Sequence, residues 1–251
     1  MNLKMSYNKF DSFFYLNKIF DFNDALTSTG ELKSSFNKDN LFCPECKIAK
    51  LRFTSKTSQK SAFLSTCPGS IHLQNCTYSF EAASKREICK YYESLTLNQI
   101  QDKLKSYMNH FFKSNTIINH PIQNNDIKIN PIILLNSKTK QHKRLPTRSL
   151  RSVIYKDGDL LDTPILFYGR VRIELDSNNE NDKKYYTIKL KNLKSNTTFL
   201  YLRTKLSENF DIKNIGQNKC YQFVFLGIYR KNHKYPYLYN NKSFMIQEIK
   251  K

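Results

Sequence analysis

Residues 165–205, ILFYGRVRIELDSNNENDKKYYTIKLKNLKSNTTFLYLRTK, alternate with a period of two, the repeat of half-buried β-strands. In the first run Ile165, Phe167, Val171, Ile173 and Leu175 share a face with Gly169, while Tyr168, Arg170 and Arg172 take the other. In the second, Tyr186, Ile188 and Leu190 oppose Tyr185, Thr187, Lys189 and Lys191. In the third, Leu200 and Leu202 oppose Phe199, Tyr201, Arg203 and Lys205. The pattern predicts three successive strands, each with one apolar face and one face that mixes aromatics with cations. Flat rings stack on unpaired bases of any identity, at about 1–3 kcal/mol per base, while cations follow the phosphates. A solvated sheet face would use the same residue types, because Lys, Thr and Tyr are ordinary outward residues on strands.

Downstream, LSENFDIKNIGQNK (206–219) reads as a short helix or an irregular crossing. CYQFVFLGIYR (220–230) follows as an apolar fourth strand, and YPYLYNNKSFMIQEI (235–249) as a loop and a fifth strand. Strands broken between third and fourth, with a Gly in the first, match the order of an OB-fold. There the second and third strands, with the loops after the first and fourth, form the ligand surface. Upstream, residues 138–151, KTKQHKRLPTRSLR, hold Lys138, Lys140, Lys143, Arg144, Arg148 and Arg151. They read as a flexible basic connector able to wrap phosphates and order on binding. Residues 156–160, KDGDL, form a turn before the first strand.

The whole chain carries 41 Lys+Arg against 21 Asp+Glu in 251 residues, a formal net charge of +20. An excess of this size points to a polyanionic partner. No apolar run of transmembrane length, signal-peptide pattern or basic amphipathic N-terminal helix is seen, so nucleic acid is favoured over a membrane surface. The six Cys, in a chain read as cytoplasmic, argue against a disulfide framework.

Five of those Cys fall in the stretch from Cys43 to Cys89. Cys43 and Cys46 form a CPEC knuckle, where two thiolates on one tight turn reach the same ion. His72 and Cys76, spaced H-x3-C, supply a second pair, and two such pairs make a closed tetrahedral set for structural zinc. Cys67 offers an alternative, C-x8-C with Cys76, that leaves His72 out; the H-x3-C spacing favours His72. Residues 96–113, TLNQIQDKLKSYMNHFFK, read as a helix with capping-box spacing at Thr96 and Gln99. Leu97, Ile100, Leu104, Tyr107, Met108 and Phe111 line one side, and the helix is expected to close the zinc domain.

The motifs NDALTSTGEL (23–32), LFCPECKIAKL (41–51) and H-x3-C-x-Y (72–78) resemble the N-terminal zinc finger of competence-associated, CoiA-like nucleases. The resemblance covers roughly residues 22–80 and implies Cys43, Cys46, His72 and Cys76 as metal ligands. The HF-x-H-like element of that family is replaced by Ser61-Ala62-Phe63-Leu64-Ser65, and no nuclease domain follows.

No phosphate loop, nucleophile elbow, HExxH or H-x-E deaminase signature occurs. Asp157, Asp159 and Asp162 belong to a turn, where Asp bonds its own backbone. Glu174, Asp176 and Lys189 distantly resemble a nuclease carboxylate/lysine set, but Glu174 shares its face with two arginines expected to pair with it. The expectation is therefore a non-enzymatic, α+β, mainly β protein. It comprises a zinc-finger domain with a closing helix (1–113), a basic linker (114–155) and a five-stranded OB-like antiparallel barrel (156–251). Tyr168, Tyr185, Phe199 and Tyr201 would stack bases of single-stranded DNA or RNA. Arg170, Arg172, Lys189, Lys191, Arg203, Lys143, Arg144 and Arg148 would contact phosphates. Docking to other protein subunits of a nucleoprotein or defence complex, or divergent metal-dependent cleavage, are the competing expectations.

Overall fold

The computed structural model describes residues 10–74, 76–112, 131–135, 141–154, 161–180, 183–204, 215–216 and 219–249, leaving aside side chains 178–180 and 183–184. Lys138, Lys140, Asp157, Asp159, Lys205 and most of the 206–219 crossing lie outside these residues. The first described strands are β1 (Ser12–Tyr15), β2 (Lys18–Asp21), β3 (Leu41–Phe42), β4 (Lys50–Thr54), β5 (Phe63–Thr66) and β6 (Glu81–Ala82). Helices α1 (Lys85–Glu93) and α2 (Leu97–Phe112) follow, then β7 (Ile133–Leu135), β8 (His142–Arg144) and β9 (Thr147–Ser149). The last strands are β10 (Ile165–Glu180), β11 (Lys183–Lys191), β12 (Thr198–Thr204), β13 (Tyr221–Ile228), β14 (Tyr237–Leu238) and β15 (Phe244–Glu248). Among the described residues no helix is long and apolar enough to cross a membrane.

The chain divides into two compact units, the first ending at Ala82 and also holding His142–Arg144. Its antiparallel sheet runs β2-β1-β3-β4-β5. Strand alternation places Phe13, Leu41, Leu51 and Leu64 on one face, where all four are fully buried. The Thr27–Glu31 turn, closed by Thr27 N–H on the Glu31 carbonyl with Gly30 at φ +86°, turns Ala25 and Leu32 into the same core.

The second unit is a nearly closed antiparallel barrel of five main strands, ordered β12-β11-β10-β13 with β15 paired to β13. That is the strand order expected of an OB-like barrel, opened between third and fifth strands. Among the described residues no ladder joins β12 to β15; β14 lies beside β12, and the Thr204 hydroxyl bonds the Asn241 carbonyl at 3.0 Å. Strand β10 changes partner midway: Ile165–Val171 pair with β13, and Arg172–Glu180 with β11. Gly169 sits just before the handover, and a Cβ there would meet Leu150 Cβ at 2.9 Å, so the missing side chain lets Leu150 into the core. Phe167, Ile188, Leu200, Phe223 and Phe225 fill the rest of that core and are fully buried.

Two expectations change. Helix α2 packs on β13 and β15 of the barrel unit, and its Gln101 amide donates to the Lys242 and Phe244 carbonyls. Its apolar side, with Ile100, Leu104, Tyr107 and Met108 buried, thus serves the second unit rather than the first. The described part of the basic connector is also folded, not a free tether. β9 pairs in parallel with β10, and Leu145, Leu150 and Val153 are buried. Helix α1, absent from the sequence expectation, is started by a reciprocal Ser84–Glu87 capping box.

Candidate functional site

The knuckle begins where β3 ends. Cys43 N–H bonds the Ala49 carbonyl at 2.8 Å, and the Cys43 carbonyl accepts from Lys47 N–H at 2.9 Å. Lys47 takes a left-handed φ of 59°, which reverses the chain and brings Cys46 beside Cys43. The loop after β5 carries His72 and Cys76 to the same point. The four ligand atoms of Cys43, Cys46, His72 and Cys76 all lie within 4.8 Å of one another. Cys43 Sγ is 3.7 Å from Cys76 Sγ, and His72 Nδ1 is 3.6 Å from Cys46 Sγ and 3.4 Å from Cys76 Sγ. Tetrahedral bonds of about 2.3 Å to sulfur and 2.0–2.1 Å to nitrogen place S···S at about 3.8 Å and S···N at about 3.6 Å. The observed spacings fit that tetrahedron, so the Cys3His cluster has the geometry of a metal site. Cys67 is outside the set, which decides between the two spacings in favour of His72.

Surrounding groups hold the ligands in place. His72 turns Nε2 to Thr66 Oγ1 at 3.0 Å, leaving Nδ1 for the sulfurs. Glu45, inside the knuckle, accepts from Thr77 N–H at 3.0 Å and from the Thr77 hydroxyl, which pins the second ligand pair to the first. Phe10 stacks on Tyr78 at 4.4 Å beneath them. The Cys43 hydrogen bond and burial push the Cys76 thiol far above its ordinary range, so a thiolate here requires a cation beside it.

On the barrel, Tyr201 and Arg203 are exposed and Tyr185 is half-buried. Tyr201 is 60% exposed, and the Arg203 guanidinium lies 4.4 Å from the Tyr185 ring centroid. Arg170 is exposed and Arg172 half-buried. Tyr168 is stacked flat on Phe111 of α2, with centroids 3.8 Å apart and planes within 3°. Phe199 lies at the register shift opposite Leu190 and Lys191, and packs against the barrel core despite its place in the alternation.

The cations divide similarly. Lys189 bonds Glu174 at 3.0 Å and Asp176 at 2.5 Å, and Lys191 also bonds Glu174. Glu174 is thus paired with lysines of β11, not with the arginines of its own strand, because the register sets Lys189 directly opposite it. These contacts, Lys191 first, hold the Glu174 carboxyl below its ordinary range. Lys143 bonds Glu81 at 2.8 Å, Arg144 lies over Tyr78 at 4.9 Å, and Arg148 donates to the buried Tyr229 hydroxyl at 3.0 Å.

A cleft of about 210 Å³ opens where β12 meets the loop after β13, lined by Tyr201, Arg203, His233, Lys234, Tyr235 and Tyr237 among others. Among the described residues, none that lines it is a carboxylate. Asn232 at φ +66° turns the loop, and the Tyr237 hydroxyl meets His233 Nδ1 at 2.7 Å. Gly227 lets β14 seat against β13, because a Cβ there would lie 3.0 Å from the Tyr237 carbonyl oxygen. His233, Lys234, Tyr235 and Tyr237 were not expected from the alternation. The run KNHKYPYLY (231–239), mixing rings and cations as the strands do, is the signal that marks them.

No family model, curated protein or solved structure matches this chain.

Proposed function

We propose that this chain is a non-enzymatic single-stranded nucleic-acid-binding protein whose N-terminal unit is stapled by zinc. The observation that carries the proposal is the cleft on β12, where three tyrosines meet Arg203, Lys234 and His233, with no carboxylate among the described lining residues. Rings of this kind accept unpaired bases, and the adjacent cations suit the phosphates between them. Tyr185 and Arg203 extend the same surface across β11 and β12. Arg170 and Arg172 are the remaining phosphate candidates on β10. Zinc is assigned from the donor set, since three thiolates and an imidazole at tetrahedral spacing suit it, and four protein ligands leave no position for water. The likeness of residues 22–80 to the CoiA-type finger supports that ligand set and not cleavage. Glu174 and Asp176, held by lysines, serve the sheet in this view rather than a catalytic metal.

Anisotropy of labelled single-stranded and duplex oligonucleotides, titrated at several salt concentrations, tests the proposal. A single-strand preference persisting near physiological salt is expected. Equal, weak binding of both forms that vanishes with salt would refute it, leaving the charge as a general attractant and a protein partner as the next candidate. Metal analysis should give one zinc per chain, retained in Cys67→Ser and lost in Cys43→Ser.

A further inference from the structure

The sheet of the first unit has a second face, opposite Phe13, Leu41, Leu51 and Leu64. Strand register defines it. Ile19 pairs with Phe14, Phe14 with Phe42, and Phe42 with Lys50, so these four form one row across β2, β1, β3 and β4. Arg52 and Thr54 continue the same side of β4, opposite Ser65 and Phe63 of β5. Ile19 is 58% exposed, Phe14, Phe42 and Phe63 are half-buried, and Lys50 and Arg52 are exposed. Lys47, from the knuckle, extends its ammonium over the Phe14 ring at 5.3 Å.

An apolar row on an exposed sheet face invites a partner, and its composition selects which one. Phe14 and Phe42 are direct cross-strand neighbours, so their side chains stand about 4.5–5.5 Å apart at Cβ. Three cations, Lys47, Lys50 and Arg52, border these rings, and among the described residues no ion pair engages them. The carboxylate in the same register, Asp21, is turned onto the Asn23 N–H at 3.0 Å. Paired rings edged by cations offer a stacking platform with phosphate contacts alongside.

We infer that this face is a second single-strand platform, taking bases on Phe14 and Phe42 and phosphates on Lys47, Lys50 and Arg52. It builds on the barrel proposal by adding a separate surface, and its metal knuckle supplies one of the cations. In that role the zinc cluster is more than a staple, because folding the knuckle is what carries Lys47 to Phe14.

The test uses the full, metal-loaded chain and a single strand carrying 5-iodouracil, photocrosslinked and mapped by peptide. Crosslinks at Phe14 and Phe42 are expected in addition to those at Tyr201 and Tyr237. Lys50→Ala/Arg52→Ala should lower the log–log salt slope by about 1.4, two single-strand phosphates' worth, while keeping one metal per chain. Crosslinks confined to Tyr201 and Tyr237, with an unchanged slope, would overturn the second platform and leave the barrel proposal standing. Crosslinks at Phe14 and Phe42 alone would do the reverse. If none form at any of the four rings, both proposals fall.

Discussion

Thr66→Val replaces the hydroxyl that faces His72 Nε2 at 3.0 Å with a methyl of nearly the same shape. With a metal held between Nδ1 and the Cys46 and Cys76 sulfurs, the ring proton would sit on Nε2 and Thr66 Oγ1 would be its acceptor. Removing such an outer partner lowers metal affinity by roughly 10–100-fold, or about 1.4–2.7 kcal/mol, through looser ring orientation and weaker ligand basicity. The four ligands stay, so stoichiometry should remain one per chain while the dissociation constant rises. Competition against a chromophoric chelator at fixed pH measures this. Thr66→Ser, which keeps the acceptor, should recover most of the loss. An unchanged dissociation constant for Thr66→Val, or equal weakening by Ser and Val, would refute the claim that this hydrogen bond orients the ligand.

Three further outcomes are expected. Tyr201→Ala and Tyr237→Ala should each weaken single-strand binding by about 1–3 kcal/mol at every salt concentration, with little effect on duplex; an equal loss on both forms would contradict stacking. Gly227→Ala forces a Cβ to 2.6 Å from the Phe225 ring and 3.0 Å from the Tyr237 carbonyl, and should cost about 1–3 kcal/mol in denaturant unfolding. Unaltered stability there would mean the β13–β14 approach is slack. Burial holds the His110 pKa below its usual value, so the folded state favours the neutral ring. Its contribution is present above about pH 6.5 and is lost as pH falls from there to the lower folded pKa. Urea titrations across that window should show the decline, and His110→Gln should flatten it.

Much of this architecture is written locally. Strands β11 and β12 begin and end close to where the period of two does, because one face is buried along each, whereas β10 runs past its alternating stretch to Glu180 and β13 shows as an unbroken apolar run that is buried almost throughout. The knuckle is equally legible, since Cys43 and Cys46 lie on one turn. What pairing decides is not. The choice of His72 over Cys67 depends on where the loop after β5 lands, and Glu174's lysine partners on a register that alternation leaves open. Phe199 follows the alternation by number, yet a bulge turns it to the core. Helix α2 is plain in the sequence, but an apolar stripe does not name the surface that covers it, nor that Phe111 will occupy the ring of Tyr168. The cleft loop escapes because its strand, β14, spans only Tyr237–Leu238, too short for any period to show.

The handover within β10 sets an order of assembly. Its C-terminal half pairs with β11, its neighbour along the chain, and β11 with β12, so this meander closes only short loops. Its N-terminal half waits for β13, where Ile165 meets Gly227, and the entropy of that larger closure must be met before contacts compensate it. The meander is then the natural nucleus, and β13 with β15 docks late. Core truncations in β11 or β12, such as Ile188→Val, should chiefly slow refolding, whereas Val224→Ala in β13 should chiefly accelerate unfolding. Because the cleft loop hangs from β13, the surface proposed to hold nucleic acid would be completed only in the last step of folding.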